Sequence, residues 1–151
     1  IAYDPYATDD QWLGLPHQRV NSLNELLAVS DLVTLHLPLN EQTKNLIDRA
    51  AFAIMKKNAV LINVSRGGLI DEQALFDALQ SGHLFGAGLD VFEIEPPESN
   101  NPLLKNDKVF LSPHTAAFTE ECMTRMGKET VQNIIDFFDE KGIFSPILID
   151  Y

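Results

Sequence analysis

Ala59-Val60-Leu61-Ile62-Asn63-Val64-Ser65-Arg66-Gly67-Gly68-Leu69-Ile70-Asp71 is the stretch whose reading decides the fold. Its first half is an apolar, β-branched run, which suits a strand buried on both faces of a parallel sheet. Asn63, Ser65, Arg66 and two glycines then interrupt the run, and Asp71 stands where a new helix needs a cap. An arginine therefore falls where a parallel strand ends and a crossover begins. In open α/β sheets, that carboxyl edge is where ligands bind.

The same alternation extends in both directions. Upstream, Ile1 to Tyr6 is expected to be a strand tail broken by Pro5, with Asp4 at its carboxyl end. Ser22-Leu23-Asn24-Glu25 has the capping-box pattern, and Leu23, Leu26 and Leu27 supply an apolar helix face. Asp31 to Pro38 is expected to be a second buried strand, stopped by its proline. Thr43 to Met55 is expected to be helical, with Asp48 as a cap inside it. Downstream, Asp71 to Ser81 has apolar residues at 74, 75, 78 and 79 and ends at Gly82, a helix terminator. Leu84 to Phe92 is a further strand with Asp90 near its end, followed by a loop through Glu93, Ile94, Glu95, Pro96 and Pro97. Val109 to Leu111 is a short strand that runs into Ser112-Pro113-His114. Thr119 or one of its neighbours is expected to cap a helix to about Lys141, and Ile147 to Ile149 is expected to add a last extended piece. Strands alternating with helices in this way predict an α/β fold, a doubly wound parallel sheet.

The bulk numbers exclude several classes of function. At 151 residues the chain has the length of one domain, and its 45% hydrophobic content is ordinary for a globular protein. No apolar run approaches the ~20 residues a membrane helix needs. The formal net charge of −11 disfavours nucleic acid and anionic membranes, because phosphate contacts need clustered Lys and Arg. One cysteine, Cys122, excludes an intrachain disulfide and suits a reducing cytoplasm; no metal-ligand spacing accompanies it.

Arg66, Glu95 and His114 each fall just beyond a predicted strand end, separated by whole βα units. Histidine is the side chain best suited to moving protons near neutral pH, and a carboxylate beside it would stabilise its charged form. Arginine offers a planar fork matched to a carboxylate. Together they describe oxidation of a 2-hydroxy acid or reduction of a 2-keto acid.

Three segments carry a family resemblance: Asn63-Val64-Ser65-Arg66-Gly67-Gly68, Gly86 to Pro96, and Ser112-Pro113-His114-Thr115-Ala116-Ala117. With His36-Leu37-Pro38-Leu39 and Thr43 they resemble the D-isomer-specific 2-hydroxyacid dehydrogenases, of phosphoglycerate, glycerate and glyoxylate type. The resemblance runs from Asp4 to about residue 140 and implies a Rossmann-like domain that binds NAD. It implies that Arg66 holds the substrate carboxylate, that His114 exchanges the hydroxyl proton, and that Glu95 orients His114. Asp4 would bind the adenosine ribose, while Leu37, Pro38 and Thr43 would flank the adenosine half. Val64, Ser65 and Asp90 would line the nicotinamide side, and Thr115, Ala116 and Ala117 would close over the ring. A small 2-hydroxy or 2-keto acid as substrate and a homodimer are implied as well. The alternative within this fold is an NADH-sensing, corepressor-like binding protein. Asn40 stands where many relatives have threonine. No G-x-G-x-x-G and no first strand precede Asp4. Residues 1–151 are therefore expected to be a partial NAD-binding domain, without its first βα unit, its Gly-rich loop or the substrate domain, and inactive alone.

Overall fold

The computed structural model describes residues 1–14 and 16–139. The chain divides into two units, 1–114 and 115–151. The first unit is built on four parallel strands, β1 (Leu32–Leu35), β2 (Val60–Asn63), β3 (Gly86–Leu89) and β4 (Val109–Leu111), neighbouring one another in that order. The register sets Val33 opposite Leu61, Leu61 opposite Ala87 and Ala87 opposite Val109. Its helices are α1 (Asp9–Trp12), α2 (Leu23–Val29), α3 (Arg49–Ile54) and α4 (Glu72–Gln80), and a 3₁₀ turn at Pro102–Lys105 joins β3 to β4.

The helix starts follow from local chemistry. Ser22, Asp48 and Asp71 each accept a backbone N–H three residues on, from Glu25, Ala51 and Ala74 respectively. In α4 the apolar face predicted at 74, 75, 78 and 79 is buried, and Gly82 ends the helix at a φ of 70°.

One face of the sheet makes the core. Val33, Leu35, Leu61, Ala87 and Leu89 pack with Leu27, Phe52, Met55, Leu75 and Leu79. The expectation that β1 is a buried strand is corrected: its residues alternate exposed and buried, and Leu32 is 53% exposed. Nor is β2 fully buried on both faces, since Val60 and Ile62 are only half-buried. The pleat sends alternate side chains to opposite faces, and the unit's buried core gathers on one of them.

A second correction concerns Thr43 to Met55, where only Arg49–Ile54 is α-helical. Asn40 Oδ1 accepts the N–H groups of Gln42 and Thr43, Asn45 turns through a φ of 50°, and Ile47 forms a parallel bridge with Ile70. An asparagine that captures backbone donors competes directly with a helix. The expected N-terminal strand shrinks to a bridge between Ala2 and Arg19, and the strand expected over Leu84 to Phe92 to its Gly86–Leu89 centre.

In the second unit, α5 (Glu120–Phe138) begins at Thr119, whose hydroxyl accepts the Cys122 N–H. The expected extension to Lys141 and the extended piece at Ile147–Ile149 lie outside the described residues. No helix among the described residues is long and apolar enough to cross a membrane.

Candidate active site

Beyond β4, Ser112 and Pro113 turn the chain into His114, whose φ of 55° lies in the left-handed region. A non-glycine residue is strained there and persists only when its surroundings fix it. Asp90, buried just past β3, does so at two points: its carbonyl accepts the His114 N–H at 2.8 Å, and its Oδ1 accepts the Ser112 hydroxyl at 2.5 Å. His114 Nδ1 lies 2.8 Å from Glu95 Oε2, and the Phe92 N–H donates to Glu95 Oε1 at 3.0 Å. The bond from His114, then that from the Phe92 amide, hold the Glu95 carboxyl below the usual carboxylate range. An ionised carboxylate only accepts, so Nδ1 carries the hydrogen and Nε2 is the atom that can exchange a proton with a ligand.

Arg66 is presented by the loop after β2. The Asn63 side chain closes that loop: Nδ2 donates to the Arg66 carbonyl at 2.8 Å, and Oδ1 accepts the Ser65 N–H at 3.1 Å and its hydroxyl at 3.0 Å. Arg66 is exposed, with Nη1 donating to the Ser65 carbonyl at 2.6 Å. Gly67 lies so close to Phe92 that a Cβ would stand 1.7 Å from the Phe92 carbonyl oxygen. The arginine loop and the loop that carries Glu95 are thus in backbone contact. Val64 and Ser65 are half-buried beside them.

The residues expected on the adenosine side gather past β1. Thr43 donates its hydroxyl to the Pro38 carbonyl and accepts the Asn40 N–H, both at 2.8 Å, which closes a turn after Leu37 and Pro38. Tyr6 ties the Asp4 segment to this turn through a 2.8 Å bond from its hydroxyl to Gln42 Oε1. Asp4 Oδ1 accepts the N–H groups of Tyr6 and Ala7, so the carboxylate also caps its own turn. On the other side the Leu39 side chain lies against Gly68, next to the arginine loop. Thr115, Ala116 and Ala117 open the second unit, where the Thr115 carbonyl accepts the Phe118 N–H at 2.8 Å.

A continuous rim therefore runs from Asp4 through Tyr6–Gln42, Leu39–Gly68 and Gly67–Phe92 to Glu95 and His114. It crosses four strand ends, roughly 14 Å at the usual strand spacing. Beside His114 opens a cleft of about 380 Å³, with Leu104, Leu111 and Pro113 as apolar wall and Asp90, Glu95 and His114 as polar groups. The carboxylate of Asp4 stands at one end of this rim and the cleft beside His114 at the other, along the carboxyl edge of the strands where open α/β sheets bind their ligands. The clamping roles of Asn63, Ser112 and Gly67 are not apparent from sequence alone. For Asn63 alone a signal exists, a polar residue ending an otherwise apolar strand.

The NAD binding domain of the D-isomer specific 2-hydroxyacid dehydrogenases, taken as a family model, matches residues 1–116. The D-3-phosphoglycerate dehydrogenase of Methanocaldococcus jannaschii is 45% identical over 134 residues, which are 89% of this chain and 25% of that protein. The hydroxypyruvate reductase of Thermotoga maritima is 43% identical over 145 residues, 95% of this chain and 45% of that protein. Among solved structures, the TT0316 protein of Thermus thermophilus aligns with a TM-score of 0.81 at 37% identity, over 89% of this chain and 43% of that one. The chain thus spans between a quarter and a little under half of the length of these relatives.

Proposed function

The chain belongs to the D-isomer-specific 2-hydroxyacid dehydrogenase family, as its NAD-binding domain, and from that premise we propose that it serves an NAD-dependent oxidoreductase acting on a D-2-hydroxy acid or its 2-keto acid. The observation that carries the reading is the 2.8 Å bond between His114 Nδ1 and Glu95 Oε2, at the strand edge that also presents Arg66. Arg66 binds the substrate carboxylate through its planar fork. His114 Nε2 takes the hydroxyl proton on oxidation and returns it on reduction, while Glu95 orients the ring. When bound, the nicotinamide supplies the hydride exchange.

Asp4 accepts hydrogen bonds from the adenosine ribose, and Leu37, Pro38 and Thr43 flank that half of the cofactor. Val64, Ser65 and Asp90 line the nicotinamide side. The names of the relatives favour phosphoglycerate or hydroxypyruvate chemistry. The same reading takes the protein to be a cytoplasmic homodimer that leaves nucleic acid alone, in keeping with its net charge of −11.

The test is His114→Gln in the full-length protein, assayed for NADH consumption with phosphohydroxypyruvate, hydroxypyruvate, glyoxylate and pyruvate. Turnover should fall about a hundred- to ten-thousand-fold while NADH still binds. Unchanged turnover would refute the assigned role. A wild type that binds NADH yet reduces none of the four acids would make it a nicotinamide sensor instead.

A further inference from the structure

Asn63 is a polar residue where the core asks for an apolar one. It closes β2 in register with Leu35 on one side and Leu89 on the other, and it is 1% exposed. Its neighbours on the same face are buried aliphatic side chains. An amide in such a place is costly unless it finds hydrogen-bond partners. Asn63 meets that demand inside the arginine loop, with one donor to the Arg66 carbonyl and one acceptor shared by the Ser65 amide and hydroxyl. Its main chain also faces the other half of the site: the Asn63 carbonyl accepts the Asp90 N–H at 3.0 Å, and the Asp90 carbonyl accepts that of His114.

We propose that Asn63 is a positioning residue for Arg66, setting through its side-chain amide where the guanidinium stands relative to His114 and so how well the site holds a substrate carboxylate. This rests on the role given above to Arg66. Two of the three bonds fix the main chain from Ser65 to Arg66, the third holds the Ser65 hydroxyl, and the guanidinium itself returns to the Ser65 carbonyl. The arginine's direction is therefore set by a loop that one buried amide closes. An apolar side chain would fill the space equally well and would leave the Ser65 N–H and the Arg66 carbonyl to find other partners.

The experiment is a double-mutant cycle in the full-length protein. Asn63→Asp keeps the shape and the acceptor, but it sets an oxygen against the Arg66 carbonyl. Alone, it should raise KM for the 2-keto acid about tenfold, the size of one lost buried hydrogen bond, and leave the Kd for NADH within about twofold. In an Arg66→Ala background the same change should leave KM unaltered, because a residue acting through Arg66 has nothing left to act on. If Asn63→Asp does not fold, Asn63→Ser, which also removes the donor to the Arg66 carbonyl, is read in the same cycle. An equal effect in both backgrounds, or none in either, overturns the proposal. An Arg66→Ala variant with unaltered KM would instead overturn the assignment of Arg66 itself.

Discussion

Glu95 spends one carboxylate oxygen on the His114 ring, at 2.8 Å, and the other on the Phe92 amide, at 3.0 Å. Both oxygens accept, so a glutamine at this position cannot serve both donors at once: its NH₂ must face either the ring or the amide. Glu95→Gln should therefore lower kcat about a hundredfold and leave NADH binding intact, as steady-state kinetics and a fluorescence titration would show.

The same pair makes a prediction about pH. The Glu95 carboxyl is held below its ordinary range in the folded protein, so its contribution is present above the unfolded carboxyl value and lost as pH falls through the folded one. The difference in Tm between wild type and Glu95→Gln should be largest near neutrality and shrink below about pH 4, where an unperturbed glutamate protonates. A difference that persists unchanged to pH 3 would contradict this.

Gly67 is irreplaceable for a steric reason. A methyl group would be driven into the Phe92 carbonyl, 1.7 Å away, and main chain cannot step aside as a flexible side chain can. Gly67→Ala should cost about 1–3 kcal/mol, the usual range for overpacking. The cost would be read as a lower urea midpoint, with a raised KM in whatever folds.

Arg66→Lys keeps the charge and loses the fork. A lysine binds a carboxylate as a point charge, so KM for the keto acid should rise about tenfold or more, the worth of one charge-assisted hydrogen bond. Equal KM values for the two proteins would show that the guanidinium geometry is not used.

At the other end of the rim, Asp4 faces the position where a 2′-phosphate would sit if the ribose lies as proposed. Removing its charge in Asp4→Ser should improve kcat/KM with NADPH relative to NADH by about tenfold, the scale of one like-charge contact near a surface. An unchanged ratio would place the ribose elsewhere.

Much of this was legible in the sequence because the determining chemistry is local. Ser22, Asp48, Asp71 and Thr119 cap helices through bonds spanning three residues, and such bonds need no knowledge of the fold. The helix expected at Thr43 failed because Asn45 and Ile47 bond to Gly68 and Leu69, more than twenty residues away. No pattern within that segment announces its partner. The pairing of Glu95 with His114 was readable only as two loops after neighbouring strands. Gly67 showed in sequence only as a turn residue, although its main constraint is the Phe92 carbonyl across the rim.

Phe92 touches the Arg66 loop through its carbonyl, at Gly67, and holds Glu95 through its amide. One residue thus spaces the group proposed to seize a carboxylate from the group that steers the proton carrier. If Arg66 and His114 act as proposed, that spacing selects acids whose hydroxyl stands on the carbon next to the carboxyl. Moving that hydroxyl one carbon further along should then abolish turnover of the 2-hydroxy acid, whatever the rest of the molecule looks like.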